Sequence, residues 1–143
     1  MRVRDVINKK SGNLQTTTSD TKLLGAIQQL NEHNIGSLLV MSGDAVEGII
    51  TERDILHAVG KDSDGLKSLM VSDVMSTDLI TCEPEATLDG IMATMTENRI
   101  RHLPVLEDKK LVGMISIGDV VKARFEETHA EASQLKDYIR GGR

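Results

Sequence analysis

A chain of 143 residues that is 39% hydrophobic and 27% charged can bury a core and has no biased tract that would argue for disorder. A net charge of −5, with one Tyr, one Phe and no Trp, argues against a sequence-independent grip on nucleic acid and against stacking of single-stranded bases. No apolar run approaches a membrane span, the start "MRVRDVINKK" has no signal-peptide core, and Cys82 as the single cysteine excludes an intrachain disulfide or a thiolate metal cage, so a reducing cytoplasm is expected.

In chain order, Leu14–Thr17 is a short β-prone stretch. Leu23, Ala26, Ile27 and Leu30 then recur at helical spacing, with Asp20 or Thr21 as the expected cap. Strands are expected at Ser37–Ser42 and Val46–Thr51, joined by a hairpin turn at "GDA", and a second helix from Glu52. A polar linker, "KDSD" with Gly65, follows. The grammar then repeats: a β-prone Leu79–Cys82, a helix through Leu88, Ile91, Met92 and Met95 capped by Thr87, strands His102–Leu106 and Leu111–Ser116 joined at "EDKK", and a helix from Ile117. The strands alternate little, so both faces should be covered.

The repetition is written in the residues themselves. Sliding the chain by 65 positions superposes Leu14–His57 on Leu79–Lys122 without gaps, matching Gly25 with Gly90, Gly48 with Gly113 and Asp54 with Asp119. The leaders "VRDVI" and "VSDVM" match at an offset of 68, so the first copy carries three extra residues around "NKKSGN". Each copy reads β-α-β-β-α. A half-unit of that size leaves an apolar face bare, and packing the two sheets together with pseudo-twofold symmetry is the simplest remedy. Gly25 and Gly90, inside helices, suggest close helix contact.

The most informative motif is the repeated turn, "GIITERD" at Gly48–Asp54 and "GMISIGD" at Gly113–Asp119. On the plainer of two readings, Thr51 with Asp54, and Ser116 with Asp119, each form a capping box with no further role. The same geometry also suits a phosphorylated ribose. A strand ending at a helix start presents backbone N–H groups and the positive end of the helix dipole, the hydroxyl adds a donor, and the carboxylate accepts from ribose hydroxyls.

With its two turns and leaders in order, the chain resembles a tandem pair of CBS domains, a Bateman module. The residues that carry the resemblance are "HNIGSLLVMSGDAVEGIITERDIL" and "NRIRHLPVLEDKKLVGMISIGDVV". The resemblance implies an α/β fold of two β-α-β-β-α repeats, spanning 1–62 and 63–124, with a C-terminal helical extension over 125–143. It implies adenosine-containing ligands: AMP, ADP, ATP, S-adenosylmethionine or NAD(H). It places Asp54 and Asp119 on ribose hydroxyls and Thr51 and Ser116 near phosphate. Ile35, Gly36 and Ser37, and Ile100, Arg101 and His102, would line the adenine and phosphate edge, with Gln15 and Ile80 opposite. Arg53, Arg99 and Arg101 are candidate phosphate partners, with solvated surface charge as the plainer reading, weightier for Arg53 than for Arg101. The second copy has the commoner family form "RHLPV" where the first has "GSLLV", and more cationic groups, so it is expected to hold a phosphorylated ligand more tightly.

His33, His57, His102 and His129 show no metal-ligand spacing, the seven methionines read as core filler, and no catalytic motif appears. From Asp119 to Arg140, Val121, Phe125, Thr128, Ala132, Leu135 and Ile139 recur at alternating steps of four and three, a heptad-like stripe that Gly141 would end. The helix either packs back across the module or meets a second chain; the resemblance implies a disc-shaped homodimer, so a homodimer to which this helix contributes is expected. The leading expectation is a cytoplasmic, non-enzymatic adenine-nucleotide sensor that acts in trans on an unidentified regulated protein. A dimeric scaffold without ligand is the alternative, and a nucleotide hydrolase a distant third.

Overall fold

A computed structural model describes residues 1–10 and 14–141, with side chains up to residue 135. Among the described residues, eleven elements run in the order α1 (Val3–Lys9), β1 (Thr16–Thr17), α2 (Leu23–His33), β2 (Ser37–Ser42), β3 (Ala45–Thr51), α3 (Glu52–Lys61), α4 (Val71–Val74), α5 (Leu88–Asn98), β4 (His102–Glu107), β5 (Lys110–Ser116) and α6 (Ile117–Gly141), with a 3-10 turn at Leu66–Ser68. The fold is mixed α and β with a long C-terminal helix, as expected. One sheet has the order β1-β2-β3 and the other is the hairpin β4-β5.

The chain divides into two compact units. One comprises Gly12–Thr81 with Leu106–Val112, the other Met1–Ser11, Cys82–Val105 and Gly113–Arg143. Each unit therefore holds the leader helix of the opposite copy: α4 lies with the first copy's sheet and α1 with the second copy's helices. The hydrogen bonds repeat this exchange. Leu23 N–H donates to Leu69 O (2.9 Å) and Val71 N–H to Thr21 O (2.8 Å). Correspondingly, Val3 N–H donates to Ala86 O (3.0 Å), and Arg2 bridges Thr87 as Lys22 bridges Met70.

In the first unit, β2 pairs antiparallel with β3, with Ser37 opposite Thr51 and a register shift at Val40/Met41. Leu38, Leu39 and Val40 are consecutive and fully buried, so β2 is covered on both faces, as its unalternating sequence implies. Leu23, Ala26, Leu30, Leu38, Val40, Ile50 and Val71 form one apolar cluster, onto which Ile27, Ile35, Val74 and Met75 pack. In the second unit the buried set is Val3, Val6, Leu88, Ile91, Met95, Leu103, Val105, Met114, Ile115, Val120 and Ala123.

Both hairpin loops have two residues. Gly43 supplies the positive φ (60°) in the first, and Asp108 and Lys109 both do so (51° and 66°) in the second, the mirror-image turns that match strand twist. Helices α2 and α5 both stop at a left-handed residue, Asn34 (φ 51°) and Arg99 (φ 54°). Each is followed by the same return bond, Ile35 N–H to Leu30 O (3.1 Å) and Ile100 N–H to Met95 O (3.0 Å).

Several expectations change. The first β-prone stretch shrinks to Thr16–Thr17, paired parallel with Leu39 and Val40, and the second reduces to a single bridge between Cys82 and Val105. Neither Asp20 nor Thr21 caps α2, whose N-cap is Lys22 without a side-chain bond. The Leu69 carbonyl takes the first helical N–H instead, while the Thr21 hydroxyl pairs with that of Thr18 at 2.9 Å. Thr87 does cap α5, accepting from Gly90 N–H at 3.1 Å. Gly25 and Gly90 meet no neighbouring helix: an added Cβ would lie 3.5 Å from Thr21 Cγ2 and 3.1 Å from Thr87 Oγ1, within the same helix start. The second strands begin one residue earlier than expected and β4 ends one later, at Glu107. The extra residues around "NKKSGN" fall partly on 11–13, outside the described residues.

Helix α6 begins at Ile117 and runs to Gly141. Its buried face is Val120 and Ala123, whereas Val121, Phe125 and Leu135 of the heptad-like stripe are 57%, 70% and 60% exposed. Ile139 lies outside the described side chains. Phe125 stacks on His129 of the same helix, ring centroids 6.1 Å apart.

Candidate functional site: two strand-to-helix corners

Each corner is built where an apolar strand runs into a helix start marked by a hydroxyl residue at the N-cap and an aspartate at the third helical position. At the first, Thr51 is the last residue of β3 and the N-cap of α3. Its N–H donates to Asp54 Oδ2 (2.9 Å), and Asp54 N–H donates back to Thr51 Oγ1 (3.3 Å). The second corner reproduces this bond for bond: Ser116 N–H to Asp119 Oδ2 (2.9 Å), Asp119 N–H to Ser116 Oγ (3.1 Å). The first helical N–H of each is also engaged, Glu52 N–H with Gly36 O (3.1 Å) and Ile117 N–H with Arg101 O (2.8 Å). The capping-box reading thus holds at both corners. The expected row of unpaired N–H groups is corrected, because the N-cap, first and third positions donate within the chain.

These bonds also tie β2 and β4 to the corners. Gly36 and Ser37 sit against the first one, Ser37 opposite Thr51 and Gly36 beside Glu52. An added Cβ on Gly36 would lie 3.1 Å from Glu52 Oε1, so an acidic side chain occupies the edge expected to face phosphate. Ile35 packs on the apolar cluster. Gln15 precedes β1 and accepts from Gln29 Nε2 at 3.3 Å, which also donates to Thr16 O at 2.9 Å. Arg53 is exposed on the first turn of α3. At the second corner Arg101 supplies the carbonyl that holds Ile117, with its side chain exposed, and half-buried His102 opens β4. Ile100 and Arg99 form the α5 terminus. Ile80 falls in the other compact unit.

Two residues outside the repeated motif complete the corners. Ser76, just past α4, donates its hydroxyl to Asp54 Oδ1 (2.8 Å) and exchanges backbone bonds with Ile49 (2.9 and 2.8 Å). Lys10, just past α1, brings Nζ to 2.9 Å from Asp119 Oδ2 and 3.0 Å from Met114 O. Both follow the leaders, so the offset repeat was the signal available. What it could not show is that each leader serves the other copy. Burial pushes the Asp119 carboxyl up, but the Lys10 and Ser116 hydrogen bonds and the Lys10 charge outweigh it and hold the group below its ordinary value. No group of three His, Cys, Asp or Glu among the described residues is placed to hold a metal ion.

The family model for the CBS domain matches twice, over residues 3–61 and 71–126. The chain belongs to the CBS-domain family. As a tandem CBS protein it is similar to the CBS domain-containing protein CBSX3, mitochondrial, of Arabidopsis thaliana, 40% identical over 98% of this chain and 72% of that one. Among solved structures, the CBS-domain containing protein ATU1752 from Agrobacterium tumefaciens superposes with a TM-score of 0.84 at 38% identity, covering 87% of this CBS pair and 99% of that chain. The CBS domain pair of protein MJ0100, solved in complex with 5-methylthioadenosine and S-adenosyl-L-methionine, superposes with a TM-score of 0.76 at 24% identity, covering 89% and 98%. That likeness is one of fold.

Proposed function

We propose that this CBS pair is a non-enzymatic regulatory module that binds an adenosine-containing ligand (AMP, ADP, ATP or NAD(H)) at one or both corners and acts in trans, as a cytoplasmic homodimer, on a separate regulated protein. The repeats of 1–62 and 63–124 are its duplicated units and 125–143 its extension. The observation that carries the reading is the duplicated corner in a CBS pair: a hydroxyl and a carboxylate at a helix N-terminus, twice, in the fold in which the MJ0100 pair holds two adenosyl compounds. In this reading Asp54 and Asp119 accept from ribose hydroxyls, Thr51, Ser116, Arg53, Arg99 and Arg101 serve phosphate, and Gln15, Ile35, Gly36, Ser37, Ile80, Ile100 and His102 enclose the base. The ligand shifts the module between two states only by its difference in affinity for them.

Calorimetric titration with AMP, ATP and NADH tests the proposal. Saturable heat, lost in Asp119→Ala or Asp54→Ala protein that remains folded, is the expected result; no heat at millimolar ligand overturns it.

One observation favours a second reading, a ligand-free dimeric scaffold. The corners close on their own side chains, while the α6 stripe stays exposed. On that reading Asp119→Ala lowers stability modestly and no nucleotide moves the melting temperature.

A further inference from the structure

The two corners share a backbone design but differ in charge. At the first, the group added by the leader segment is the neutral Ser76 hydroxyl, and Glu52 lies beside Gly36. At the second, the added group is the Lys10 ammonium, and the positions equivalent to Gly36 and Glu52 are Arg101 and Ile117. Lys10 is 42% exposed in its side chain and Asp119 22%, so the pair stands at the surface of its unit, open to exchange of partners.

We propose that Lys10 makes the second corner selective for phosphate-bearing adenosine ligands, by giving up Asp119 for the ligand's phosphate. The inference rests on the proposed function and deepens it. Asp119 Oδ2 already accepts from Ser116 N–H and from Lys10. A ribose that uses this carboxylate must share it with Lys10 or displace it. An uncharged nucleoside that displaces Lys10 would leave the ammonium without a counterion. A phosphate supplies a new one, so Lys10 exchanges one charge-assisted bond for another, while Asp119 is released to the sugar. Ser76 offers no such exchange at the first corner, which serves as the internal control.

The test is titration of the full chain, and of its Lys10→Gln, Lys10→Arg and Asp119→Ala variants, with AMP and with adenosine. The wild type is expected to prefer AMP at the site that Asp119→Ala abolishes. Lys10→Gln is expected to bind AMP roughly tenfold more weakly with no loss for adenosine, and Lys10→Arg to keep most of the preference. The preference should also fade with added salt. Circular dichroism and melting establish that the variants fold, and Lys10→Arg against Lys10→Gln separates charge from packing. If Lys10→Gln keeps the wild-type AMP-to-adenosine ratio, or if AMP binding depends on Asp54 alone, the role of Lys10 is overturned and the nucleotide-binding reading stands. If the wild type binds neither AMP nor adenosine, the role of Lys10 is overturned; the nucleotide-binding reading falls with it only if ATP and NADH also give no heat.

Discussion

Gly48 and Ser76 are in contact through backbone alone: a Cβ added to Gly48 would lie 2.7 Å from the Ser76 carbonyl oxygen, with Met75 Sδ at 3.1 Å. The bridge between Ser76 and Ile49 holds that carbonyl in place, so it has little freedom to retreat. Gly113 occupies the equivalent strand position in the second copy, yet its added Cβ would meet only Ile7 side-chain carbons at 3.5 Å or more, an ordinary contact. Gly48→Ala should therefore destabilise by about 1–3 kcal/mol. Gly113→Ala should be neutral or stabilising by roughly 0.5 kcal/mol, because glycine in a strand loses more backbone freedom on folding. Paired urea denaturations decide it; equal effects at the two sites would contradict the geometry.

The caps give a second comparison. Thr51→Ala and Ser116→Ala each remove the hydroxyl that accepts a third-position N–H, and each should cost about 1 kcal/mol. Thr21→Ala should have little effect on α2, because that helix is anchored by the Leu69 carbonyl. Melting temperatures of the three variants, measured under one condition, test this ordering.

Asp119 sets a pH dependence. Its folded-state carboxyl titrates below the unfolded value, so its ionised form stabilises the fold, fully so above the unfolded value near pH 4. That contribution disappears as pH falls through the lower folded value. In Lys10→Gln the depression shrinks, so this part of the acid loss should shrink too. Urea midpoints of both proteins between about pH 2 and 7 show it; parallel curves would remove Lys10 as the cause.

Cys82 should be a sluggish thiol. Burial pushes it up to about 11, so little thiolate exists at neutral pH. Its rate with a thiol-disulfide reagent should lie well below that of the unfolded chain at pH 8, rising as pH approaches 11. A rate at pH 8 equal to that in denaturant would show the site to be open.

The exposed stripe on α6 tests the homodimer. Phe125→Glu and Leu135→Glu alter side chains that are 70% and 60% exposed in the single chain, so circular dichroism should show the protomer fold kept, while melting loses what dimerisation contributes. Sedimentation should show wild-type dimer and variant monomer. A dimer that survives both substitutions would place the interface elsewhere.

The sequence by itself determined the elements and their duplication. Apolar residues at steps of three and four set α2 and α5, unalternating runs set β2 and β4, and Thr51 with Asp54 and Ser116 with Asp119 wrote both capping boxes, because each depends on neighbours a few residues apart. The tertiary structure decided what lies between distant residues. It put α1 with the second copy and α4 with the first, replaced a side-chain cap on α2 by the Leu69 carbonyl, and reduced the second β-prone stretch to a single Cys82 bridge. It also brought Ser76 to Asp54 and Lys10 to Asp119 across 22 and 109 positions of chain. Local pattern carries no information about such pairings, because they follow from which apolar faces find each other. The Lys10 charge at the second corner arrives only with that choice.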